Sequence, residues 1–205
     1  MAEMQRRFSS PILGQGKERP FHFPLSRQER KWIVKSWKTV PDTGKLAQDV
    51  FQQIFREEPL LMIAFGVESI PLGELAGQAL LKRHAANFTN YISVIVTSLE
   101  GGVNAEERAL QRMRELGRRH HQLAREHEIQ PHQWAIVLNA MAEQIKSHST
   151  AEAKRRKSFT YQLIRSRSDP WRNLMAFIIS EMKQAYSSYE KYAARPFYPI
   201  NDSAP

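Results

Sequence analysis

The chain has 205 residues, 41% hydrophobic and 25% charged, with 30 Lys and Arg against 21 Asp and Glu for a net charge of +9. That length and apolar content suffice for one well-filled domain and argue against a disordered or collagen-like chain. The lack of cysteine excludes disulfides, thiolate metal sites, thiol nucleophiles and covalent attachment of a prosthetic group through thiols, while the excess of base favours anionic neighbours.

Residues 1–24 are polar, basic and proline-punctuated, and read as a flexible arm; residues 193–205 read as a tail, leaving 25–192 as the domain. No apolar run approaches the length a spanning helix needs, and the N-terminus has no secretory core, so a cytoplasmic protein is expected. Within the domain the recurring period is helical, with no strand-like alternation. Ser26 and Glu29 form a capping box at the start of a first helix that carries Trp32, Ile33, Ser36, Trp37 and Val40 and stops at Pro41. A second helix runs over 44–56 with Leu46, Val50, Phe51, Ile54 and Phe55 on one side, and Pro59 opens a short third over 60–65.

After a turn-rich stretch from Gly66 to Gly73, a long helix is expected over 74–99, with Leu81, His84, Ala85, Phe88, Tyr91, Ile92 and Ile95 as its stripe and Gly101-Gly102 at its end. A basic amphipathic helix follows over 104–125, aligning Met113, Leu116, His120 and Leu123. Pro131 opens a helix with Trp134, Val137, Leu138, Met141 and Ile145, and Asp169-Pro170 opens the last, with Trp171, Leu174, Met175, Ile178 and Met182. The expected fold class is all-α, seven to eight helices.

His84 and His120 occupy apolar stripes rather than polar faces. Taken singly, each reads as a core histidine bonded to a backbone carbonyl. Taken together, two helices each offering an imidazole, among Phe51, Phe55, Phe65 and Phe88, suit a flat metal macrocycle held in an apolar slot.

Over residues 26–192 the chain resembles the globins, most closely the neuroglobin/cytoglobin-like and nematode-type members. The resemblance rests on Trp37 in the first helix, Phe51 and Phe55 ahead of Pro59, and Phe65 six residues after it. It continues with Lys82-Arg83-His84-Ala85 followed by Phe88, with Leu116-Gly117-Arg118-Arg119-His120, and with Trp171 in the last helix. It implies a globin fold around haem b, His120 as the proximal iron ligand and His84 as the distal histidine. His84 then either takes the sixth coordination position, the preferred reading, or donates a hydrogen bond to a diatomic gas ligand. Phe51, Phe55, Phe65 and Phe88 are the expected haem-lining aromatics, and Lys82, Arg83 and Arg119 the candidate partners of the propionates.

Thirty-six residues separate His84 from His120, more than is usual for the family, and the stretch from His120 to Pro131 is also long. His121 and His127 therefore stay open as alternative ligands; His120 is preferred because it alone falls in the Met113/Leu116 stripe. The segment 146–168 is strongly basic, and Lys154-Arg155-Arg156-Lys157 reads as a solvated connection, or as a contact for an anionic surface. The function implied is reversible binding of oxygen and other diatomic gases in redox sensing or storage, by a monomer or weak dimer. The alternatives are a haem redox enzyme acting on nitric oxide, nitrite or peroxide with a reductase partner, and a haem-free basic helical binding module.

Overall fold

A computed structural model of the chain describes residues 21–155 and 169–193. Seven α-helices and one 3-10 helix are found among the described residues, and no strand: α1 (Arg27–Lys38), α2 (Thr43–Glu57), α3 (Leu61–Ala64), the 3-10 helix (Leu72–Gly77), α4 (Ala79–Ser98), α5 (Val103–Glu126), α6 (Pro131–Arg155) and α7 (Pro170–Ala193). No helix among the described residues is long and apolar enough to cross a membrane.

Local chemistry sets most of the boundaries. The Ser26 hydroxyl accepts the Glu29 N–H at 3.2 Å while the Glu29 carboxylate accepts the Ser26 N–H at 2.8 Å, so two of the orphan donors at the start of α1 are satisfied reciprocally. At the start of α2 the Asp42 carboxylate accepts the Lys45 N–H, satisfying one such donor. The long helix expected over 74–99 is broken: residues 72–77 wind as a 3-10 helix, Gln78 is extended at φ −71°, ψ 130°, and α4 begins only at Ala79. The i to i+3 geometry of a 3-10 turn makes poorer hydrogen bonds and does not propagate, so this segment turns before α4 starts. At the other end, α6 continues as helix through Arg155, so the first part of the basic segment is not a loop. Arg156 and Lys157 of the basic cluster lie outside the described residues.

Packing centres on the α5–α7 pair, the most extensive helix contact, with α2 laid across α4 and α6. Trp171 is fully buried, and its indole N–H donates to the Ser36 hydroxyl at 2.9 Å, which in turn donates to the Ile33 carbonyl. Trp37 packs against Trp171 with ring centres 5.7 Å apart and donates to the Ser93 hydroxyl. The core divides into two clusters, and Phe88 and Met141 touch both.

Phe21 and Phe23, expected in the arm, are packed into the fold instead. Phe21 and Phe23 lie against Phe177, with ring centres 5.8 and 5.6 Å away. The buried Glu106 carboxylate accepts the Phe23 N–H at 2.7 Å and pairs with the Arg30 guanidinium, which also donates to the Phe23 carbonyl. A carboxylate this deep is tolerable only when its lone pairs are taken up in this way.

On the outer side of α2, Asp49 accepts hydrogen bonds from Lys45 Nζ at 2.8 Å and His148 Nε2 at 2.9 Å. Burial alone would raise its pKa, but these donors outweigh it and hold the carboxyl below its usual value. A group with a lowered folded-state pKa contributes stability above its unfolded pKa, and the contribution disappears as pH falls through the folded value. Asp49→Asn is therefore expected to lower the melting temperature by a few degrees at pH 7. The gap to the parent should close in melts recorded at strongly acidic pH.

Candidate functional site

Seven residues make almost two turns of an α-helix, so α4 presents His84, Phe88 and Tyr91 on one face. His84 is half-buried there, against aromatics brought by the two preceding helices. Phe65, at the C-cap of α3, meets the His84 ring edge-on at 5.0 Å, and Phe51 of α2 lies 6.5 Å from it. Phe51 also contacts Phe55, Phe65 and Phe88 at 6.2, 5.5 and 6.2 Å. Phe55 is fully buried beneath them, whereas Phe51, Phe65 and Phe88 are half-buried walls. All five residues that the sequence reading grouped on this side thus come together.

The facing wall belongs to α5, where Leu116, His120 and Leu123 are half-buried in one line. His120 Nδ1 is 2.9 Å from the Leu116 carbonyl oxygen. A carbonyl can only accept, so Nδ1 carries the proton and Nε2 keeps its lone pair. Burial lowers the pKa of His120, partly offset by the Leu116 hydrogen bond; burial, then Arg83, then the charge of His120 itself lower that of His84. With both pKa values lowered, the two imidazoles are neutral at pH 7 and available as metal ligands.

Trp134 of α6, with its ring centre 6.3 Å from His120, is a site residue that the sequence reading left in the core. Its spacing to Val137, Leu138 and Met141, all partly buried, was the available signal. His121 is buried, on the far edge of the α5 buried arc, one turn beyond Gly117 and its contact with α7. His120 is the one in line with Met113 and Leu116, and His121 is buried as well, in line with Gly117. What separates them is direction: His120 lies on the crevice side. His127 caps α5 and is exposed. Lys82 and Arg83 are exposed beside His84, and the exposed Arg119 is held by Glu115.

No group of three or more His, Cys, Asp or Glu that could hold a bare metal ion occurs among the described residues. Two neutral imidazoles between half-buried apolar walls instead suit a metal whose remaining ligands come from a flat macrocycle, and the residues present fit haem in that respect. The globin family model matches residues 48–162, more than half of the chain. The chain is a globin. Membership implies a haem and diatomic gas ligands. Among curated proteins this globin is 26% identical over 175 residues to Globin-related protein glb-13 of Caenorhabditis elegans, and it spans 56% of that relative's length. Among solved structures it is similar to the globin-like protein Glb-12 of C. elegans, with a TM-score of 0.70 and 22% identity over 89% of this chain and 100% of that one. A hexa-coordinate haemoglobin of Drosophila melanogaster, described for its cyanide binding and haem-cavity conformational transitions, superposes with a TM-score of 0.56 and 16% identity over 78% of this chain and 94% of that one. At such identities the structures establish the fold: this is an all-α globin.

Proposed function

We propose that this globin holds haem b between His120 and His84, with both imidazoles as axial ligands in the resting state, and binds oxygen and other diatomic gases reversibly in redox sensing or storage in the cytoplasm. What supports the reading is that α4 and α5 are in contact and each carries a partly buried imidazole, His84 set edge-on to Phe65 and His120 tied through Nδ1 to the Leu116 carbonyl. Haem, if bound, would be held by His120 and His84 and would supply the iron centre that takes up the gas ligand. The Leu116 hydrogen bond fixes the His120 ring and raises the basicity of Nε2, the atom proposed to bind iron. His84 would serve either as a second iron ligand or, when not bound, as a hydrogen-bond donor to the gas ligand. Phe51, Phe65 and Phe88 exclude water and narrow the approach. Arg83 has no carboxylate partner among the described residues, whereas Arg119 shares its charge with Glu115; Arg83 is therefore the better of the two for a propionate.

The test is the absorption spectrum of the ferrous protein without added ligand. A six-coordinate low-spin spectrum is expected, and a five-coordinate high-spin spectrum contradicts axial ligation by His84. His84→Leu should convert the spectrum to five-coordinate. It should also speed carbon monoxide binding by about tenfold or more, because the competing internal ligand no longer holds most of the population.

A further inference from the structure

On the other side of α4 lies a groove of about 340 Å³ between the second half of that helix and the first half of α5. Ser93, nine residues beyond His84, is half a rotation away from it, so this groove is separate from the two-histidine crevice. Ser93 and Val94 line one wall from α4, Gly101 and Ala105 leave the groove room by their small size, and the buried Ser98 and Ala109 lie at its base. Arg108 and Arg112, one turn apart on α5, form the other wall. Both arginines are exposed, neither makes an ion pair among the described residues, and no carboxylate lines the groove. Val94 is 38% exposed, unusual for a large apolar side chain in this fold. The Ser93 hydroxyl accepts from Trp37 Nε1, which leaves its own proton to donate.

We propose that this groove binds a small carboxylate carrying an apolar tail, with the carboxylate bridged by Arg108 and Arg112 and the tail laid along Val94 and Ala105. Two guanidinia at i, i+4 offer charge-assisted, paired donation to one anion. The volume lies at the lower end of small-molecule sites. The inference does not depend on haem, because the groove lies outside the crevice.

The experiment is calorimetric titration of the full-length protein with sodium decanoate, alongside decyltrimethylammonium and inorganic phosphate, with tryptophan fluorescence as a second readout through the Trp37–Ser93 contact. Saturable one-to-one binding of decanoate is expected, weakened about tenfold or more in R108A/R112A and likewise in V94E, which places a carboxylate beside the tail without touching the core. Decyltrimethylammonium should not compete, and phosphate should compete only weakly. Absence of saturable decanoate binding, equal binding of the cationic analogue, equal competition by phosphate, or unchanged affinity in both variants would each overturn the assignment.

Discussion

Gly117→Ala is expected to destabilise this globin by about 2–3 kcal/mol, although glycine to alanine inside a helix ordinarily stabilises by up to about 1 kcal/mol. A Cβ at position 117 would lie 2.6 Å from Met182 Cα and closer still to the Met182 carbonyl oxygen. Those are backbone atoms of α7, which no rotamer change can move, so the two helices must separate along the most extensive contact in the fold. The melting temperature should fall by roughly 5–10 °C for a domain of this size. Because His120 follows three residues later on α5, haem retention should weaken together with stability. A Gly117→Ala protein that melts at or above the parent temperature would show that the close α5–α7 approach is not the packing in solution.

His120→Ala should lower haem affinity by more than about 100-fold, beyond the cost of losing an outer-shell partner. The protein should still fold, since His120 is half-buried and its hydrogen bond is to a carbonyl in the preceding turn of its own helix. Added imidazole should restore binding, by replacing the missing ring in the crevice. His121→Ala is the necessary companion: His121 is buried behind α5, so its loss should reduce stability while the spectrum of bound haem is preserved. The reverse pattern, with haem lost in His121→Ala and kept in His120→Ala, would move the ligand by one residue.

Much of this was legible beforehand because the signals are local or periodic. The Ser26 capping box, the Asp169-Pro170 start and the His84/Phe88 face depend only on residues within a turn or two of each other. The choice between His120 and His121 depended on more than periodicity. Adjacent residues on a helix differ by about 100°, and a buried arc that meets both α7 and the crevice contains them both. Only the position of α7, fixed by Gly117, separates the two directions. The break before α4 escaped the pattern because Leu75 and Leu81 are both fully buried, and a 3-10 turn followed by an extended Gln78 keeps them so without a continuous helix. Phe21 and Phe23 read as arm residues since prolines flank them, and their anchor, Glu106, is eighty-three residues away in sequence from Phe23. Nothing in the local sequence distinguishes Glu106 from the other charges of its helix. Burial of an ion pair is decided by tertiary neighbours such as Arg30, and composition carries no trace of it.

The most direct measurement is a titration of the purified, haem-free protein with hemin, followed at the Soret band. The account predicts saturation at one equivalent and a low-spin ferric spectrum from two imidazole ligands, with saturation lost in His120→Ala. A protein that stays colourless, or takes up hemin without saturation and equally well in His120→Ala, would contradict the proposal that the crevice between α4 and α5 is a haem site.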